Sequence, residues 1–286
     1  MRSALAAILV LAWAPAAAQA PLSQCFPVEK LDNETRRLAE DLLLRALDRE
    51  ALYTFIGGIK PMSNGFATKR IDVDAPKTDD LEKTRKALRA IRCGDEIVCA
   101  VQPYWNVYEG KRYLDAGVFH RQSMAKAIET HRSFFAFYGI TPSSEPIEAV
   151  MAIDRDDTSR RNRAYGYFFG YPKYAVDFFV NAENERRRTK KLVPRDFFSI
   201  PVFAGPTNFF VWAVPKGSQP TEQDLKLKAK CEKILDYYKR LREKYIGEGK
   251  KGVIALIRDW YGDGKGNYSP TIAYRKVFPN EDPGKP

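Results

Sequence analysis

Residues 96–119 read EIVCAVQPYWNVYEGKRYLDAGVF. β-Branched and aromatic residues dominate this stretch, and Glu109-Gly110 interrupts it near the middle. That pattern predicts two strands, Glu96 to Tyr104 and Trp105 to Phe119, with the hairpin turn at Glu109-Gly110. A second pair follows at about Phe197 to Phe203 and Asn208 to Val214, joined by Ala204-Gly205-Pro206. Nearly everything around these pairs has helical periodicity. The expected fold is therefore α+β: one mostly helical domain, residues 19–286, with a small antiparallel sheet built from the 96–119 and 197–214 strands.

The helices differ in how clearly they are written. Thr221 with Asp224 resembles a capping box. Leu227, Cys231, Ile234, Tyr238, Leu241 and Tyr245 then recur every three or four residues, which predicts a long helix with one buried seam over 222–246. Met124, Ile128, His131, Phe135 and Tyr138 predict a helix over about 122–138, stopping at Gly139. Upstream, one helix is expected from Asp32-Asn33 to Gly57-Gly58, and another from Asp79-Asp80 to Gly94. Residues 145–180 read as three short helices, broken at Asp154 and at Gly170-Tyr171-Pro172. The run Arg186 to Lys191 (RRRTKK) reads as a basic loop or frayed helix end.

The first 18 residues read as a secretory signal peptide. Arg2 supplies the positive end, Ala4 to Ala14 the apolar run, and Ala16-Ala17-Ala18 a small-residue cleavage site. The run is too short to span a bilayer, which takes about 20 apolar residues, and no later segment reads as transmembrane. The expected protein is periplasmic or secreted. Formal net charge is +11 over 286 residues, and loss of Arg2 leaves +10. Such charge favours anionic surfaces, so anionic envelope components or a small molecule are the expected partners. No specific nucleic-acid motif is present, although Arg160, Arg161, Arg163 and the 186–191 run supply cations. Export permits disulfides. Cys93 and Cys99, which bracket the turn CGDEIVC, are the expected pair; Cys231, inside the helical seam, is expected to stay a buried thiol rather than to join Cys25.

Candidate site residues fall in four places. The loop GGIKPMSNG (57–65) offers Gly57 and Gly58 for close backbone approach to a ligand, and Lys60 and Ser63 to bind an anion or activate a nucleophile. It lacks the spacing of a phosphate-binding Walker loop. His120 stands where a predicted strand gives way to a helix and is a candidate general base; His131, the only other histidine, falls on an apolar stripe and reads as core. Tyr171 and Asp177 are candidate pocket residues in an aromatic-rich segment. Asp154 and Asp156 follow the apolar run Ala149 to Ile153.

The sequence Asp154-Arg155-Asp156-Asp157-Thr158 resembles the first motif of the haloacid-dehalogenase phosphatases. That resemblance implies a strand ending at Asp154, with Asp154 as nucleophile and Asp156 as acid/base near Mg²⁺. Ser159-Arg160-Arg161-Asn162 departs from the family's apolar continuation. ALYTFIGGIKPMS (51–63) and YGYFFGYPKYAVDFFV (165–180) resemble stretches of an uncharacterised secreted bacterial family, which implies no activity. With two histidines, no H-E-x-x-H, no C-x-x-C and a failed calcium-loop spacing at Asp259, neither a metal site nor a cofactor is expected. The leading functional expectation is a ligand-binding or envelope accessory protein. The alternative is a secreted hydrolase, phosphatase-like in one version, that uses the Lys60 loop with His120 or with Asp154 and Asp156.

Overall fold

In the computed structural model, which describes residues 19–281, the chain runs as follows. Residues 1–18, read above as a signal peptide, lie outside the described residues. After β1 (Ala20–Pro21) come α1 (Asn33–Asp48), α2 (Leu52–Phe55), β2 (Met62–Ser63), β3 (Thr68–Asp72) and α3 (Asp79–Ala90). The first hairpin is β4 (Ile97–Tyr108) and β5 (Lys111–His120). Five helices follow: α4 (Arg121–Thr130), α5 (Arg132–Ala136), α6 (Pro146–Asp154), α7 (Thr158–Phe168) and α8 (Lys173–Thr189). The second hairpin is β6 (Arg195–Val202) and β7 (Gly205–Pro215). The chain closes with α9 (Glu222–Tyr245), α10 (Gly252–Tyr261), β8 (Asn267–Tyr268) and α11 (Pro270–Val277). The α+β architecture is the expected one.

Local chemistry explains most of these boundaries. The Asp32 carboxylate accepts from the Thr35 amide and caps α1. Glu109 (φ 50°) and Gly110 (φ 71°) both adopt left-handed backbone, as a tight two-residue hairpin turn requires. Thr221 and Asp224 complete a reciprocal capping box on α9. That helix buries Cys231, Ile234, Tyr238, Leu241 and Tyr245, the predicted seam, while Leu227 is half-buried. The three helices predicted within 145–180 appear with breaks where expected. The RRRTKK run begins inside the last turn of α8, and Lys190 (φ 61°) ends the helix.

Four expectations need correction. The two hairpins do not share a sheet. β5 is flanked by β4 on one side and by β2 and β3 on the other, whereas β6 and β7 pair only with each other. α8 packs on β7 and α9 on β6, so helices take the place of further strands there. The first helix is broken at Arg49, which ends α1 before the short α2. The 122–138 helix is broken at His131 (φ −115°, ψ 34°). The turn lets His131 stack on Tyr167 at 3.6 Å and Phe135 stack on Phe168 at 4.9 Å. Finally, Cys93 is bonded to Cys25, not to Cys99. Cys93 faces Cys25 across an isolated bridge, while Cys99 is held in the β4 ladder opposite Val118. Cys99 and Cys231 are buried thiols.

Two apolar clusters make up the interior. The larger joins α1, α2, α9, α10 and α11 to the strands. The smaller gathers α4 to α8 around Met62 and Phe119 from the central sheet. Among the described residues no helix is long and apolar enough to cross a membrane.

Candidate functional site

The 57–65 loop and the 165–180 segment, both singled out by sequence, pack against each other. Gly170 (φ 72°) allows it: a Cβ there would lie 2.7 Å from the Ile59 carbonyl oxygen and 3.1 Å from Pro61 Cδ. Lys60 is wholly buried by this contact. Its Nζ donates to Glu50 Oε2 at 2.8 Å and sits over the rings of Phe210 (4.2 Å), Phe169 (5.0 Å) and Tyr171 (5.2 Å). Burial lowers the pKa of Lys60, and the Glu50 carboxylate works against that shift. Ser63 is also buried, with its hydroxyl 2.8 Å from that of Thr54.

Gly57 and Gly58 serve packing. A Cβ on Gly57 would strike the Tyr274 ring at 2.5 Å, and one on Gly58 would strike Ser123 Oγ at 2.1 Å and the His120 ring at 2.8 Å. The loop is thus pressed against protein on each of these sides.

Beside Phe169 and Tyr171 opens a cavity of about 290 Å³ between α7, α8 and the β6–β7 hairpin. Its walls are aromatic: Phe169, Tyr171, Phe179, Phe197 and Trp212, with Tyr165 and Asn162 at its polar points. Gly166 makes room for the close approach of α7 and α8, since a Cβ there would meet Val176 Cγ2 at 2.6 Å. The walls are fixed from behind. Trp212 Nε1 donates to the Tyr174 hydroxyl at 3.4 Å, and Tyr174 donates to Asp224 at 2.5 Å. The Tyr165 hydroxyl donates to Asp154 Oδ1 at 3.0 Å and accepts from Gln102 at 2.6 Å. The Asn162 amide and the Tyr171 hydroxyl make no hydrogen bond among the described residues. None of the described side chains lining the cavity is charged.

The remaining predicted residues lie elsewhere. His120 is the N-cap of α4: its Nδ1 accepts from the Ser123 amide at 3.2 Å, and its Nε2 stands 3.7 Å from Glu96 Oε1. It borders a smaller cavity of about 180 Å³ with Gly57, Ser123 and Lys126. Burial lowers its pKa to about 4. Asp154 is the last residue of α6, so the strand implied by the phosphatase-like motif is a helix. Its Oδ2 accepts from the Trp105 amide. Asp156 binds the Tyr138 hydroxyl and Arg160, and Asp157 caps α7. Asp177 is held by Arg163 and, at 2.6 Å, by Lys173. Among the described residues, Lys60, His120, Asp154 and Asp156 make no hydrogen bond or ion pair with one another, and no three His, Cys, Asp or Glu side chains gather as metal ligands.

Of the predicted ligand-binding residues, Tyr171 alone lines the aromatic cavity. The sequence reading missed Phe169, Phe179, Phe197 and Trp212. Their signal is the aromatic density of FFGYPKYAVDFF (168–179), of Phe197-Phe198 and of FFVW (209–212), which core and cavity wall share. Compared with known proteins, the chain matches no family model, no curated protein and no solved structure.

Proposed function

We propose that this is an exported ligand-binding protein that holds a small, uncharged ring compound in the cleft between α7, α8 and the β6–β7 hairpin. The observation that carries this reading is the lining: aromatic walls, two unengaged polar groups and no charge. Apolar pockets with a few placed polar groups are the usual form of a small-molecule site, and about 290 Å³ is at the small end of their range. Aromatic faces accept planar or ring-shaped partners by stacking or edge contact. The Asn162 amide and Tyr171 hydroxyl supply orientation. A charged ligand would have to leave water with no opposite charge waiting on the lining. The Cys25–Cys93 disulfide and the signal-like residues 1–18 support export to the periplasm or beyond, with an accessory role in the envelope.

The test is a titration with N-phenyl-1-naphthylamine, an uncharged fluorophore of a naphthalene joined to a phenyl ring. Saturable binding of one molecule per chain is expected. Val211→Phe, which fills the cavity, should weaken it by at least about tenfold while circular dichroism stays unchanged. Binding that is non-saturable, or equal in the filled variant, rules this cleft out.

A further inference from the structure

The first hairpin is buried at one end and bare at the other. β5 is buried from Leu114 to His120, whereas toward the turn Trp105 is 50%, Val107 42% and Tyr108 58% exposed. Between the pairs Pro103↔Leu114 and Val107↔Arg112 the register shifts, and residues 104–106 form a bulge opposite Tyr113. Bulges re-aim side chains, and the backbone of this one is tied down. The buried Asp154 carboxylate accepts from the Trp105 amide, and Arg112 Nη1 donates to the Tyr104 and Trp105 carbonyls at 3.1 Å each. A buried carboxylate is therefore spent on holding a tryptophan out into solvent.

Cations surround it. Arg155 lies 4.7 Å and Arg112 5.9 Å from the Trp105 ring, and Arg70 lies 4.9 Å from that of Tyr113. Together with Lys111 they make four cations, none of them in an ion pair among the described residues, against Asp72, Asp74 and Glu109 at the same end. Tryptophan, tyrosine and arginine with an aliphatic neighbour suit the boundary between water and lipid, where amphipathic rings settle at headgroup depth and cations meet phosphates. The tip is a hairpin end rather than a groove, which fits a flat layer better than a threaded strand.

We propose that the Trp105–Tyr108 tip is a docking site for the surface of a bilayer containing anionic phospholipid. It uses none of the cleft's lining residues and stands independently of the cleft. The full chain should cosediment with phosphatidylglycerol–phosphatidylcholine vesicles, less so as salt rises, and not with phosphatidylcholine alone. Trp105→Ala and Arg155→Glu should each weaken binding by about tenfold, the size expected when an interface anchor is removed. Trp105→Phe should retain cosedimentation but lose the part of the tryptophan blue shift that Trp105 contributes, since Trp13, Trp212 and Trp260 remain. Inorganic phosphate should cause no shift. The apolar residues 4–14 are common to every variant, so differences between variants report the tip. Equal binding of the parent and Trp105→Ala, equal binding to neutral vesicles, or a Trp105 response to a single-stranded oligonucleotide without one to vesicles overturns the proposal.

Discussion

The two hairpins are built from similar sequence and put to opposite use. Both are rich in aromatic and β-branched residues, both have a two-residue turn (Glu109-Gly110 and Phe203-Ala204), and both carry a register shift. The second hairpin is clasped by α8 and α9 and gives Trp212 and Phe197 to the wall of the cleft. The first belongs to a four-stranded sheet along its length, is buried at its His120 end and runs out into solvent at its turn. Strand propensity is alike in the two, so it does not decide their roles. Long-range partners do: for the second, a helical seam and a buried ammonium under Phe210; for the first, one carboxylate at a helix end pinning a bulge.

Perturbing each hairpin's support should separate the two. The largest effect is expected from Ile234→Asp, which places a carboxylate in the fully buried seam of α9 beneath the second hairpin. An unpaired buried charge has no compensation there, and the variant should not fold. A soluble variant with parental circular dichroism would show that this face is not the buried one.

Next comes the Lys60–Glu50 pair under the same hairpin. Glu50→Ala strands the ammonium among three rings and should cost about 3 kcal/mol in urea unfolding, whereas Lys60→Met, which removes the charge and keeps the bulk, should cost clearly less. The reverse order would mean that the pair does not support the cleft as described.

The smallest effect belongs to the buried end of the first hairpin. His120 titrates near 6.5 when unfolded and near 4 when folded. The unfolded chain therefore takes up the proton first as pH falls. Stability should decline from about pH 6.5 and level off below about pH 4, by at most about 3 kcal/mol. Glu96, whose pKa is raised by burial, acts in the opposite direction in the carboxylate range, since the folded form protonates first. Comparison with His120→Asn, which retains an N-cap, isolates the histidine: the difference between the two stability curves should change across that window, and a constant difference contradicts the assignment.

Much of the fold is legible in the sequence because it is written locally. The capping box at Thr221, the seam from Leu227 to Tyr245, the turn at Glu109-Gly110 and the break at Gly170-Tyr171-Pro172 each depend on neighbours within a few positions. The Cys25–Cys93 bond does not, because its partners are 68 residues apart, and the short CGDEIVC turn offers a closer but absent alternative. The site is harder still. Lys60 reads as an exposed ligand group because nothing nearby in the loop announces that Glu50 and three distant rings enclose it. Asp154 and Asp156 read as chemistry because a carboxylate that binds a backbone amide and one that binds a substrate are the same letter. Tyr171 is found, but Trp212 and Phe197 join it only through tertiary packing.

The most direct test of the cleft is a crystal structure of the protein with a bound neutral two-ring compound at saturating concentration. Density against Phe169, Tyr171 and Trp212, with the ligand's polar atom toward Asn162 or the Tyr171 hydroxyl, is the predicted result. An empty cavity in a saturated protein, with the compound bound elsewhere, would contradict the proposal that this cleft is the binding site.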